Sequence, residues 1–465
     1  MGISSPGWAT TGNAFLNSAN NYFLLANILV IVFSLISLFR PREWLWFWLS
    51  IFFLTVVKLD ALPGVPNHLI LTLIIHFTLF LSVLLYWNGS LETQKERISY
   101  WFKKTAPYLR IELLIVYFFV VLHKLNYDFF NPDVSCAAEL YNDIAGMYPF
   151  FPQELWIDKA IIFLTLLPEL LIPILLIIPA TRVFGVFIGL LFHFMLSLHS
   201  NLYILSFSAE VYALYILFLP GHVITKCTHE LKQIADRFSK EKLLAGVAGI
   251  GLTVSVFYLG INILLTGTLS VSQLKEDIMG LIMVFWIIWS ITLIAGAIAV
   301  FRGHFISFPP ETSSFFRLSW SPLLLLLLLT IFNGINPYIG LKTATNFAMF
   351  SNLKVEGADN NHLFISSAYQ LSGKQGDTVT LIETNHPYLQ NYIDWNERIT
   401  YFELSRFLHE NRSKNVEVTF RRNSNKQTIR LPQQQPTDYM DSSWLARKML
   451  VFRGVPIEGP TPCQW

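Results

Sequence analysis

Val116 to Asp128 reads Val-Tyr-Phe-Phe-Val-Val-Leu-His-Lys-Leu-Asn-Tyr-Asp. It closes a longer apolar run, Ile111 to Leu122, and the run stops abruptly at His123 and Lys124. An apolar stretch with a charge at its mouth reads as the end of a membrane helix. Lys124 is then either an anchor, with its stem in lipid and its head at the interface, or a working group. An amine drawn into low dielectric can act as a base near neutral pH. The neighbours favour the second reading: His123, Asn126, Tyr127 and Asp128 form a polar cluster rather than a plain basic flank.

Outward from this stretch the pattern repeats. About ten apolar runs are spaced along the chain, near 21–39, 43–61, 68–87, 107–125, 157–179, 182–199, 202–219, 243–265, 277–301 and 319–336. Most approach the ~20 residues needed to cross hydrocarbon. The 465-residue chain is 53% hydrophobic and 14% charged, with mean hydropathy +0.47; soluble domains carry roughly 25% charged residues. The expectation is a polytopic all-α membrane bundle of about nine to ten spans, residues 1–340. The first 19 residues lack Lys and Arg, so no signal peptide is expected and the first run stays as a helix. Net charge is +2 without a dense basic stretch, which argues against nucleic acid as a partner.

Basic residues follow alternate spans: Arg40 and Arg42, then Lys95 to Lys104, Arg182, Lys226 to Lys242, and Arg302 with Arg317. The positive-inside rule then puts both termini, and the acidic loop 126–156, outside. Residues 225–242 read as an amphipathic surface helix. After about residue 340 no run is long enough to span. Stretches 362–371, 377–383, 415–421 and 427–431 are β-rich, and Ile399 to Leu408 has helical spacing. Residues 341–465 are therefore expected as a small extracytoplasmic β-rich domain. Cys136 and Cys463 fall on the same external side, so a disulfide between them is expected, and Cys227 stays a free thiol inside.

Four further residues invite chemistry. Asn67 and His68 follow Pro63-Gly64-Val65-Pro66; Asn67 reads as a helix cap and His68 as a cavity-facing imidazole. His193 lies within the sixth run, where an imidazole needs a hydrogen-bond partner or a cavity. Glu169 lies within the fifth, between Pro168 and Pro173, where an unpaired carboxylate is costly. Each could be satisfied simply by a neighbouring helix. Together they place an amine, imidazoles and a carboxylate in membrane helices, a set suited to proton abstraction from a lipid-soluble substrate. No P-loop, Rossmann fingerprint, His-Glu-x-x-His site or nucleophile elbow occurs, and the cysteines form no zinc-type cluster.

At these residues the chain resembles the vitamin K-dependent gamma-glutamyl carboxylases and their bacterial relatives, the horizontally transferred transmembrane (HTTM) domain proteins. The stretches that carry the likeness are Asn67-His68, Val116-Tyr117-Phe118 running into Lys124-Leu125, Phe192-His193-Phe194, Phe207-Ser208, Asn336 to Lys342, and Met349 to Leu353. It covers roughly residues 20–365. The resemblance implies that Lys124 deprotonates a reduced vitamin K or menaquinol-type naphthoquinone, with His68 and His193 in the same pocket. Asn67, His123 and Glu169 complete its polar network. It further implies O2 and CO2 as cosubstrates, no metal, and a glutamate-containing peptide or protein as acceptor. The region after residue 340 is shorter than the carboxylases' external region. Two other readings therefore stand beside it: a non-catalytic scaffold or transport-accessory protein, and a quinone-binding sensor.

Overall fold

The computed structural model describes the chain apart from residues 1–20, 41–42, 88, 92, 200–201, 222, 226–270, 305–314, 358–359, 366–368, 435–438 and 464–465. The expected surface helix beyond Thr225 and the span at 243–265 lie outside the described residues, as does Cys227. The other nine apolar runs are helical. They are α1 (Asn21–Phe39), α2 (Trp44–Asp60), α3 (Asn67–Tyr86), α4 (Gln94–Lys124), α6 (Leu155–Ile177), α7 (Arg182–Leu196), α8 (Leu202–Tyr215), α9 (Val271–His304) and α10 (Leu323–Ile335). A short helix outside the apolar runs, α5 (Cys136–Met147), follows α4. Among the described residues five helical stretches are long and apolar enough to cross a membrane: Asn67–Tyr86, Gln94–Lys124, Trp156–Ile177, Pro179–Leu196 and Gly280–Ile298.

α4 starts earlier than the expected 107–125. Thr93 and Glu96 form a reciprocal capping box, which satisfies amide donors at the start of the helix. Pro107 then lies inside a 31-residue helix rather than at its beginning. Its missing N–H forfeits one ladder bond, and burial of Tyr108, Leu109 and Leu113 along the following turns holds the helix together.

The chain divides into two compact units. One holds the described residues up to Leu170 and those from Phe316 onward; the other runs from Leu171 to Phe315. The division therefore falls within α6 and before α10. In the second unit α7, α8 and α9 pack through polar clasps. Tyr212 donates to the Leu190 carbonyl at 2.7 Å, and the Trp286 indole donates to Ser197 Oγ at 2.6 Å.

In the first unit residues 377–460 carry a five-stranded antiparallel sheet in the order β4-β3-β1-β2-β5. The strands are β1 (Thr378–Thr384), β2 (Glu397–Thr400), β3 (Glu417–Arg422), β4 (Asn425–Arg430) and β5 (Val455–Pro456). Asn423 and Ser424 turn the β3–β4 hairpin with positive φ at both positions, the geometry that matches strand twist. Helices α11 (Pro387–Asp394) and α12 (Tyr401–Glu410) contribute Leu389, Tyr392, Leu404 and Leu408 to a core with Val379, Leu381, Val418 and Phe420. A last short helix, α13, covers Trp444–Met449. Among the described residues of 362–371, where a strand was expected, none joins the sheet. Their backbone bonds go to the end of the bundle instead: Leu363 N–H to the Leu125 carbonyl, Tyr369 N–H to that of Tyr338, and Leu371 N–H to that of Ile339. Asn126 and His362 make an isolated antiparallel bridge.

Candidate functional site

Lys124 is the last residue of α4, and Glu169 sits past the midpoint of α6. The lysine Nζ lies 2.5 Å from Glu169 Oε1 and 2.6 Å from Oε2. The two side chains are only 5% and 7% exposed, and the Phe129 ring lies 5.6 Å from the ammonium. Taking two charges out of water costs several kcal/mol each, which only close, well-aligned pairing offsets. Lys124 is therefore not the isolated amine that a lone base requires. It is half of an ion pair between two helices.

The neighbouring His123 is wholly buried. Phe119 stacks on its ring at 5.7 Å, and Nδ1 lies 2.9 Å from the Tyr338 hydroxyl. The backbone of Gly334 and Asn346 lies close to the same ring, while its Nε2 makes no hydrogen bond among the described residues. Gly334 on α10 makes room for this arrangement, because a Cβ there would overlap the Phe119 ring.

Past Lys124 the chain is knotted to distant segments. Asn126 Nδ2 donates to the carbonyls of His123 and Ser351 at 2.8 and 2.6 Å, and its Oδ1 accepts from Phe129 N–H at 2.8 Å. Asn352 reaches Cys136 N–H and the carbonyls of Val134 and Thr461. Cys136 and Cys463 form a disulfide across 327 residues. Asp128, one of the loop acids, accepts from Asn361 Nδ2 and Thr461 N–H, so it fastens this knot. His362 belongs to it too. Its Nδ1 accepts from the amides of Phe364 and Ile365, and its Nε2 lies 3.0 Å from the Leu122 carbonyl. That pattern fixes the neutral Nε2–H tautomer, and burial lowers its pKa.

Asn67 was expected to cap α3. It is instead the first residue inside the helix, after Pro66. Its Oδ1 accepts the Asn346 N–H at 2.9 Å, because the segment 342–352 folds back over this end of the bundle. That segment holds four non-glycine residues at positive φ: Thr345, Phe347, Phe350 and Asn352. Such backbone is strained and persists only where its surroundings fix it. Lys342 supplies part of the fixing. It is 2% exposed, and its Nζ donates to Thr345 O at 3.0 Å and Thr345 Oγ1 at 3.2 Å. Burial lowers its pKa to about 7.

The other expected residues are distributed more widely. His68 is buried on α3. Two turns further along, His76 Nδ1 lies 2.8 Å from Thr55 Oγ1, whose proton goes to the Ile51 carbonyl at 2.7 Å. His193 belongs to the second unit, where Phe207 and Tyr215 pack around its ring and its carbonyl accepts from Ser208 Oγ at 3.2 Å. Sequence reading passed over Glu112, fully buried on α4 and bonded by Thr78 Oγ1 at 2.6 Å, although a carboxylate inside an apolar helix is itself a signal. Tyr338 and Lys342 lie in a stretch that carries the resemblance but were given no role, and His362, whose partner Leu122 is remote in sequence, was passed over. Among the described residues no three His, Cys, Asp or Glu side chains converge as a metal-ligand set.

No family model, curated protein or solved structure matches this chain.

Proposed function

We propose that the protein is an integral membrane enzyme of the gamma-carboxylase kind. It would oxidise a reduced naphthoquinone with O2 and use that oxidation to carboxylate a glutamyl side chain with CO2. The acceptor is a glutamate-containing peptide or protein presented on the extracytoplasmic side, where the sheet-bearing region and the disulfide also lie. The observation that carries this reading is the dry pairing of Lys124 with Glu169 at the end of α4.

The residues present fit a quinol. A naphthoquinol hydroxyl is a phenol, with a pKa near the ~10 of tyrosine, and it needs a base and a hydrogen-bond partner in a dry site. The partner is His123, the residue before Lys124 on α4 and wholly buried. The base is the Lys124–Glu169 pair taken as a unit. An ammonium cannot accept a proton, but the carboxylate beside it can. Alternatively Nζ passes its proton to Glu169 and accepts the next one as an amine. On either route the pair takes up one proton and gains one positive charge, which then faces the quinolate it has made. Oxidation of the bound quinol supplies the basicity needed to remove a glutamyl γ-proton. The family resemblance adds His68 and Asn67, of the same compact unit, to this reading.

The test is O2 consumption and quinone-epoxide formation by the purified protein in lipid nanodiscs supplied with reduced vitamin K or menaquinol. Lys124→Ala and Glu169→Gln should each abolish both while the protein still purifies as a folded species. Full epoxidation by Lys124→Ala overturns the assignment. One observation favours a second reading, a scaffold or stoichiometric quinone binder: a charge-satisfied pair also serves simply to join α4 to α6. Quinol binding without turnover, unaffected by an added glutamyl peptide, selects that reading.

A further inference from the structure

Helix α13 is out of character for a water-facing region. Ser443 caps it, accepting from the Ala446 amide at 3.1 Å. Its apolar side chains then point outward: Trp444 is 66% and Leu445 62% exposed, with Met449 and the preceding Met440 also exposed. Leu445 and Met449 stand four residues apart, on one face of the turn. Arg447 and Lys448 supply the basic flank.

Lys448 ties this helix to the end of α2. Lys448 Nζ donates to the carbonyls of Leu62 at 3.0 Å and Asp60 at 3.4 Å. These are the last residue of α2 and the turn that follows it, the level at which an apolar helix leaves hydrocarbon. α2 itself carries a row of exposed apolar side chains, Leu45, Phe52, Val56 and Leu59, that ends just before this contact. Exposed apolar surface therefore resumes on α13 where the row on α2 stops. Immediately beyond, Val451 accepts the amides of Thr343 and Ala344, so the same strap is tied to the strained segment that holds Asn67.

We propose that α13 is an interfacial anchor. Its Trp444 and Leu445 side chains insert among the headgroups and upper acyl chains of the extracytoplasmic leaflet, holding the sheet-bearing region down on the membrane. The partner is the phospholipid surface, because the patch continues an apolar helix face and has the composition of an in-plane anchor: Trp and Leu on the outside, Arg and Lys beside them. The proposal rests on the reading of the apolar helices as membrane spans.

The test is nitroxide labelling of single cysteines at Leu445, at Leu164 on the exposed apolar face of α6, and at exposed Glu458. The protein is the full chain with Cys227→Ser, in phosphatidylcholine–phosphatidylglycerol nanodiscs. Collision with O2 and with a water-soluble nickel chelate is read at each label. The Leu445 label should resemble Leu164, with high O2 and low chelate accessibility, and should differ from Glu458. A Leu445 label as open to chelate as Glu458, while Leu164 stays in lipid, overturns the anchor. A Leu445 label shielded from both probes overturns it in favour of a protein partner or a second copy. Chelate reaching Leu164 as well shows that the membrane reading itself has failed, and the anchor with it.

Discussion

Lys124 and Glu169 illustrate how a buried ion pair divides its effects. Removing either partner strands the other charge in a dry site, at a cost of about 3–5 kcal/mol. Lys124→Met with Glu169→Leu should therefore be more stable than either single variant, by thermal unfolding in detergent, yet as inactive as both in epoxidation. Lys342 makes a prediction of a different kind. Burial lowers its pKa to about 7 from an ordinary 10.5. Between those values the unfolded chain binds the proton and the folded chain does not, so stability rises with pH across that window and is lost as pH falls through it. The slope approaches ~1.4 kcal/mol per pH unit. Lys342→Met should remove it, read as the difference between wild-type and variant unfolding midpoints from pH 7 to 10; parallel curves would show that the amine is not dry. Lys124 and Glu169 were legible in the sequence because each is a charge in an apolar run. Lys342 was not, because its burial depends on a backward fold of 342–352 that no local pattern encodes.

Helices and strands show where local rules suffice. The capping box at Thr93 and Glu96 and the turn at Asn423-Ser424 are written in nearby residues, and the apolar runs mark α1–α4 and α6–α10, though not α5, α11, α12 or α13. The stretch 362–371 has strand composition, yet its amides pair with α4 and with the turn after α10. β-propensity reports fitness for a pleated surface, not which partner is available. The close approach of α4 and α10 gives the prediction at this scale. Gly334→Ala pushes a methyl into the Phe119 ring, an overpacking cost of about 1–3 kcal/mol. The displaced ring should disturb His123 and its bond to Tyr338. Adding Phe119→Leu should recover most of the lost unfolding temperature; if the two changes simply add, the contact is not the cause.

At the scale of the whole molecule the two compact units cut across the composition boundary. The segment after residue 340 looks like a separate domain by hydropathy, but its first third is spent on the end of the bundle, through Asn346, Ser351, Asn352 and Asn361. Cys463→Ser, or mild reduction, should therefore loosen the surroundings of Lys124 before it unfolds the sheet. Hydrogen exchange should rise first at 126–136 and 352–363, and later at 379–383 and 418–420. The bridge also sets an order of assembly. Residue 463 leaves the ribosome 327 residues after its partner, so every intervening helix must exist before that covalent tie can close. Until then the ammonium at residue 124 and its carboxylate can meet, but the segments that Asn126 and Asn352 tie together have no covalent fastening. A nascent chain would thus acquire its ion pair early and its covalent clasp late, so for most of synthesis the charges alone hold α4 against α6.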